Sequence, residues 1–376
     1  MKIIFFANYP QHYFDYFYNK NNIDAGYSEH QDILSNDYYG VFGSYTRYAK
    51  DNGHDAYLVV GNDERLQRKW ALENNFTFPE SNWDFLVVME QIKSIRPDVL
   101  FISSMFKYFG SFLAEARNYC KVIIAWISCP VPANISLAHI DFVATSTAYF
   151  VNYFREKGMK SELITAAFDG NILSRTIGNE SPDIPFAFIG SLTGYHSKRD
   201  YLLDKLLKKT DIQLFTGGVN KSFVERAKDV YRAEWPKNFQ VYLPRLFYPP
   251  DIASRNNGVV WGMDMYNALR RTKIVFNAHV DIAGEYIGNM RMFEVTGCGS
   301  VLLTDTAKNM PELFTPDVEV VTYANVDEAI EKYNYLLRNE EMAKQIAKAG
   351  RAKTLKEHTM QNHVSKILKI AGELLS

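Results

Sequence analysis

Between Lys273 and Thr304 the hydrophobic pattern of the chain changes three times. A short apolar run, Lys273–Asn277, leads into a glycine-containing loop. A helical stretch then begins near Asn289, carries Met290, Arg291, Met292, Phe293 and Glu294, and ends at Gly297–Gly299. A second apolar run, Ser300–Thr304, follows at once. Strand, glycine loop, helix and strand are half of a doubly wound α/β sheet, where ligands sit outside the carboxyl ends of the strands. Backbone N–H groups at such a helix start, with the positive end of its dipole, suit a phosphate or carboxylate. Arg291 adds a two-pronged donor for phosphate oxygens. Glu294, about one turn on, is placed to accept hydrogen bonds from vicinal sugar hydroxyls, or else forms an intrahelical i, i+3 surface pair with Arg291.

The same alternation runs through the rest of the chain. Met1–Ala7 is an apolar run without polar alternation, the pattern of a buried parallel strand rather than of a signal peptide. The loop Asn8–Tyr13 is expected at the carboxyl end of that strand. A helix is predicted over Asp37–Asn52, stopped by Gly53, followed by strand Ala56–Gly61 and a charged helix Glu64–Asn74. Helix Trp83–Ser94 is broken by Pro97, and Asp98–Ser103, Val122–Ile127 and Phe142–Thr145 read as further strands. Five strands separated by helices predict a parallel α/β domain.

The segment Ala167–Ile184, rich in Asp, Gly, Asn, Ser and Pro, reads as a boundary between domains at 1–182 and 183–355. The second opens with strand Pro185–Ile189 and the loop Gly190-Ser191-Leu192-Thr193-Gly194, whose small residues leave room for close backbone approach, as a phosphate loop does. A helix from His196 to beyond Arg199 follows, with Tyr201, Leu202, Leu206 and Leu207 as its apolar stripe. Strand Ile212–Phe215 ends at Gly217-Gly218. Ser222–Asn257 is an excursion whose Trp235, Tyr242, Phe247 and Tyr248 among prolines suit an acceptor groove, a subunit contact or a self-packed lobe. Helices Val326–Arg338, Glu340–Ala349 and His358–Leu375 close the chain.

Length and charge exclude several classes of function. A chain of 376 residues accommodates two domains, each burying its own core. A net charge of −1 and a pI near 6.7 give no electrostatic case for a nucleic-acid partner. No run approaches the roughly 18 apolar residues of a membrane span. The three cysteines, Cys120, Cys129 and Cys298, have neither zinc-finger nor disulfide spacing, so a reducing, cytoplasmic setting is expected. Most of the 24 Tyr, 25 Phe and 5 Trp residues are accounted for by core packing, with sugar stacking open to a few.

The run Asn289-x-Arg291-x-Phe293-Glu294-x-x-Gly297-Cys298-Gly299 resembles the nucleotide-sugar motif of glycosyltransferases with the GT-B fold, and most closely the CgeB-like (spore maturation protein) group. The resemblance implies two Rossmann-like domains facing a cleft, the donor held mainly by the second domain and the acceptor by the first. It also implies a C-terminal helix (356–376) that returns to the first domain. It places a Gly-Ser pair and a His-x-x-Arg near the donor, matched here by Gly190, Ser191, His196 and Arg199. Gly217 closes the next strand of that domain. The resemblance sets the nucleobase beside Val260 and its neighbours. Related enzymes carry two glutamates eight positions apart; Glu294 fits the second place, whereas Tyr286 stands in the first and Glu285 one residue off. The loop that commonly reads Trp-x-x-Asp-Asp-Pro keeps Trp126 and Pro130 but has Ser128 and Cys129 in place of both acids.

The function these features imply is a metal-independent glycosyltransferase of hexosyltransferase type. It would use a nucleotide-diphosphate sugar as donor substrate, no cofactor, and a carbohydrate, peptide or small-molecule acceptor. Arg291, Arg199, the Gly190–Ser191 amides and a helix N-terminus would hold the departing diphosphate, since no Asp-x-Asp pair is placed to carry a metal. With the acidic loop replaced, His12 and His30 are the candidates for a base on the acceptor; alternatively the leaving diphosphate takes the proton. A nucleotide-sugar epimerase on the same fold and a catalytically silent sugar-nucleotide-binding subunit are the competing readings.

Overall fold

The computed structural model describes residues 1–103, 106–177, 182–192, 197–217, 224, 252–279 and 284–376. They form two compact units, one of Met1–Thr165, Trp261–Met263 and Met360–Ser376, the other of Ala166–Val260 and Asp264–Thr359. Among the described residues no helix is long and apolar enough to cross a membrane.

The first unit is built on strands β1 (Lys2–Ala7), β2 (Asp55–Val60), β3 (Val99–Ser103), β4 (Val122–Trp126), β5 (Phe142–Thr145) and β6 (Ser161–Leu163). All neighbours run parallel, in the order β2-β1-β3-β4-β5-β6. Ile3 to Ala7 are fully buried because helices cover both faces of a central parallel strand, which is why that run carries no polar alternation. The sixth strand escapes the sequence pattern because it is three residues long and begins Ser-Glu.

Helix boundaries in the first fifty residues differ from the sequence reading. Asn8–Tyr13 is a loop only to Pro10; a helix occupies Gln11–Lys20 and buries Tyr13, Phe14 and Phe17. Pro10 at φ −63° sets the entry, where its missing N–H costs nothing. A further helix, Tyr27–Asn36, carries His30. The helix expected over Asp37–Asn52 starts only at Phe42, because Tyr38 and Gly40 turn the chain through positive φ. The final helix, Met360–Leu375, packs on this unit: His363 Nε2 lies 2.9 Å from the Tyr45 hydroxyl, and Lys366 Nζ donates to the Leu163 carbonyl at 2.8 Å.

His30 is a core residue, 1% exposed. Its Nε2 meets the Tyr18 hydroxyl at 2.8 Å, and that hydroxyl donates to Asp63 at 2.6 Å. Burial, reinforced by the positive charges of Lys69 and Arg65, pushes its imidazole down to about 4.

The second unit contains β7 (Ile184–Ile189), β8 (Gln213–Phe215), β9 (Thr272–Phe276), β10 (Val301–Asp305) and β11 (Val321–Tyr323), all parallel, in the order β11-β10-β9-β7-β8. The chain goes from β7 outward to β8, then returns to the other side of β7 and continues outward through β9, β10 and β11. β11, another three-residue strand, was not read from the sequence. Helix Ser197–Lys209 buries Leu202, Leu203, Leu206 and Leu207, whereas Tyr201, expected in the stripe, is half exposed. Helix Glu340–Glu357 runs two turns past the expected Ala349. Gly350 is the residue that lets it close on the loop before β11: a Cβ there would sit 2.3 Å from the Glu319 carbonyl oxygen.

Two expectations follow from this packing. Alanine at 350 gains about 1 kcal/mol of helix propensity but collides with backbone, and overpacking of this kind costs about 1–3 kcal/mol. Gly350→Ala should therefore lower the urea midpoint, and a raised midpoint would show that the loop yields freely. The unfolded chain protonates His30 near its ordinary value, about 6.5, and the folded chain only near 4. Stability contributed by neutral His30 is whole above pH 6.5 and is lost as pH falls towards 4, at up to about 1.4 kcal/mol per pH unit. His363, held down to about 3 by burial and Lys366, adds to the acid sensitivity, so the comparison is between variants. Between pH 7 and 5 the wild type should lose more unfolding free energy than His30→Gln; equal losses would refute the linkage.

Candidate functional site

In the second unit the strand order changes direction between β7 and β9, so the loops that leave their carboxyl ends diverge and open a crevice. Asn277, one residue beyond β9 and buried, fixes that end of the sheet. Its amide Nδ2 donates to Thr304 Oγ1 at 2.9 Å and to Asn289 Oδ1 at 3.4 Å, while its Oδ1 accepts from Asn289 Nδ2 at 2.9 Å. Its backbone N–H donates to Leu303 at 2.8 Å, and its carbonyl accepts from the Tyr323 hydroxyl at 2.8 Å.

Asn289 is the N-cap of helix Met290–Cys298 but gives that helix no side-chain cap, because its amide is engaged with Asn277. The Met292 N–H reaches the Asn289 carbonyl at 3.2 Å, which leaves the first-turn N–H groups of Met290 and Arg291 for another partner. A second amide holds the approach to the helix: Asn309 Oδ1 accepts from Ile287 N at 2.9 Å and its Nδ2 donates to the Ile287 carbonyl at 2.8 Å. The helix ends at Gly299, whose φ of 87° lets the N–H of Ser300 reach back to the Val295 carbonyl.

Arg291 and Glu294 do pair at i, i+3, with Nη1 to Oε2 2.8 Å. They are not the surface pair the spacing also allowed. Glu294 is 6% exposed, with the Tyr266 hydroxyl 3.5 Å from its Oε1, and Arg291 Nη1 also reaches Met265 Sδ at 2.9 Å. The pair thus faces helix Gly262–Arg270, which starts two residues after Val260. Glu285 lies apart from it, exposed and bridged to Lys308 at 2.6 Å.

Across the switch point, Gly190 follows β7 and its N–H donates to the Phe215 carbonyl at 3.2 Å. Arg199 is not on a solvated helix face: it is buried, donates through Nη2 to the Ser191 carbonyl, and lies over the Phe188 ring at 5.3 Å. It therefore shapes the Gly190–Ser191 turn. Gly217 is where the Val259 side chain closes on the end of β8, at 2.9 Å from the place a Cβ would take. Asn256 and Asn257, hydrogen-bonded to Thr216 and Leu214, bring Val259 and Val260 there. Gly190, Ser191, Arg199, Gly217, Val260, Asn289, Arg291 and Glu294 thus all lie at or just beyond the carboxyl end of one sheet. His196 lies outside the described residues, as do 104–105, 193–194, 218 and most of the Ser222–Asn257 excursion.

Two further residues at this edge were not read from the sequence. His279 and Asp305 are both buried; His279 Nδ1 lies 2.6 Å from Asp305 Oδ1, and the His279 backbone N–H donates to the same oxygen at 3.2 Å. Burial alone would raise the Asp305 carboxyl, but the hydrogen bond and charge of His279, with Lys198 further out, hold it below the usual carboxylate range. The signal was present: Asn-Ala-His ends one apolar run and Thr-Asp the next, so the pair meets if the two strands are neighbours.

The first unit's candidates are dispersed. His12 is exposed on helix Gln11–Lys20, whereas His30 is in the core and, with its depressed basicity, is poorly suited to taking a proton from an acceptor. Ser128 Oγ accepts from the Ser146 N–H at 2.8 Å and ties the loop after β4 to the loop after β5. Cys129 packs against the apolar core, and burial raises its thiol, as for a structural cysteine.

With this geometry in view, comparison with known proteins is informative. By sequence, no curated protein matches. Among solved structures, a glycosyltransferase from Rickettsia africae superposes with a TM-score of 0.57 at 12% identity, covering 100% of this chain and 99% of that one. The Anabaena protein HepE in complex with UDP-glucose gives 0.58 at 11% identity, covering 99% and 100%. A sucrose-phosphate synthase from Thermosynechococcus elongatus gives 0.56 at 9% identity, covering 88% and 92%. At such identities these matches establish the α/β fold with two parallel sheets, the GT-B arrangement of those enzymes. A family model described as glycosyl transferase-like matches residues 175–369, which include the whole second sheet and the Asn277–Asp305 region. Matched over more than half its length, the chain belongs to the glycosyl transferase-like family of GT-B glycosyltransferases.

Proposed function

We propose that the protein is a metal-independent hexosyltransferase of the CgeB-like group, moving a hexose from a nucleotide-diphosphate sugar to a carbohydrate, peptide or small-molecule acceptor. The observation that carries this reading is the start of helix Met290–Cys298: uncapped N–H groups at the switch point, with Arg291 and Glu294 on its first turn and a half. Transfer breaks the bond between the anomeric carbon and the diphosphate oxygen, and negative charge grows on that oxygen. Preorganised donors aimed at it lower the barrier; loss of one such donor typically costs on the order of 10²–10³ in rate. In this reading Arg291, the helix amides and the Gly190–Ser191 turn shaped by Arg199 serve the diphosphate, and Glu294 accepts from the ribose hydroxyls beside Val260. The nucleotide of first choice is UDP, which related folds have been solved with. The proton of the acceptor hydroxyl passes to the leaving diphosphate in this reading, since His30 is buried with its basicity depressed.

The reading is tested by incubating the protein with nucleotide sugars and following nucleotide release with and without acceptors. Removing a carboxylate that accepts ribose hydroxyls should cost about 1.5–3 kcal/mol, so Glu294→Ala should bind UDP roughly 10- to 150-fold more weakly. Unchanged affinity in a folded variant would refute the ribose assignment. Excess EDTA should leave release and transfer unaltered, whereas a complete loss restored by Mn²⁺ would refute metal independence.

A further inference from the structure

The His279–Asp305 pair has no part in the site as assigned so far, yet it is built as a ligand contact. We infer that His279, held by Asp305, is a second cationic contact for the diphosphate of the donor, reaching it through Nε2–H; the inference rests on the nucleotide-sugar reading above.

Three observations support it. The pair stands at the carboxyl ends of β9 and β10, and His279 is two residues from Asn277, which fixes the helix start where anionic oxygens are expected. Asp305 holds His279 twice through one oxygen, the ring by Nδ1 at 2.6 Å and the backbone N–H at 3.2 Å, which fixes the ring's orientation. Nε2 is buried and has no hydrogen-bond partner among the described residues. A buried polar atom left unmatched costs more than a typical hydrogen bond gains, so such an atom calls for a partner that arrives later.

The chemistry then selects the partner. With Nδ1–H given to Asp305, Nε2 carries a lone pair in neutral imidazole and an N–H in imidazolium. A carboxylate on one side and a phosphate oxygen on the other both favour the protonated ring. Binding of an anion should therefore draw one proton onto His279. Among the described residues, few other charged groups face the pair. Lys198, from helix Ser197–Lys209, lies 3.9 Å from Asp305 Oδ2 and opposes protonation. Tyr323, from β11, keeps its proton through burial and donates a hydrogen bond to the Asn277 carbonyl. Helix Met290–Cys298 presents the Asn289 amide on that side, which does not titrate.

The test is calorimetry of UDP-glucose, GDP-mannose and ADP-glucose, each against its own nucleoside, across pH 6 to 8 in buffers of different ionisation enthalpy. The phosphates of these probes do not titrate near neutrality, so any proton taken up from the buffer goes onto the protein. Wild type should bind one nucleotide sugar more tightly at low pH, with uptake of up to one proton. His279→Gln should weaken that binding tenfold or more at pH 6, abolish the uptake and leave the nucleoside unaffected. Asp305→Asn, which keeps the shape but removes the charge, should lessen the proton uptake and the gain in affinity at low pH, and serves if His279→Gln fails to fold. A wild type that binds no nucleotide sugar would overturn the nucleotide-sugar reading, and this inference with it. Binding with an unchanged profile in the variants, or equal losses for nucleoside and nucleotide sugar, would overturn this inference alone.

Discussion

The second sheet depends on one amide. Asn277 is buried, yet each of its polar groups is used: two side-chain donations, one side-chain acceptance, and both backbone groups. A buried amide is costly unless matched, and a fully matched one is highly directional. Its partners come from β10, β11 and the start of helix Met290–Cys298, so a single side chain sets where three elements end relative to one another. It also occupies the Asn289 side chain, which would otherwise cap the helix. The open first turn at the switch point is thus a consequence of how the sheet edge is held.

Much of the fold is legible in the sequence because parallel strands buried on both faces must be apolar throughout. Ile3–Ala7, Phe142–Thr145 and Val301–Thr304 declare themselves that way. The helix Val326–Arg338 is likewise bounded by its own residues, since Asn325 caps it by accepting from Glu328 N–H. What is not legible is what tertiary contact decides. Ser161–Leu163 is a strand only because β5 is beside it, and the helix Gln11–Lys20 hides its apolar face in tyrosine and phenylalanine that equally suit a loop.

The candidate site shows the same division. Arg291 and Glu294 are readable because their spacing on a helix brings them together, although their burial is not. Arg199 is readable as a basic residue near a glycine turn, but whether it meets solvent or the Ser191 carbonyl depends on the Phe188 ring beneath it. His279 and Asp305 are 26 positions apart, and only strand adjacency joins them. In the first unit, Trp126 is a similar case. Its ring packs with Tyr45 and His363, so its place in the sequence is explained by the docking of the last helix as well as by any loop motif.

The charges at the second sheet's edge are stored as pairs, and this constrains what can bind. Arg291 has Glu294, His279 has Asp305, and Lys308 has Glu285. The Lys308–Glu285 pair is exposed, but Glu294 is buried, and taking Arg291 from it leaves a buried carboxylate uncompensated, at a cost of up to about 3–5 kcal/mol. A helix N-terminus returns only about 0.3–2 kcal/mol to an anion. A bare phosphate that pulled Arg291 away from Glu294 would therefore recover little of what it disrupts. A ligand with hydroxyl donors a few ångströms from anionic oxygens avoids that loss, because the hydroxyls replace Arg291 on Glu294 while the oxygens take up the guanidinium. The vicinal diol and diphosphate of a nucleotide have that pattern, whereas inorganic phosphate and free sugar each supply half of it. On the proposed reading, the Arg291–Glu294 pair favours a ligand that satisfies both of its members at once.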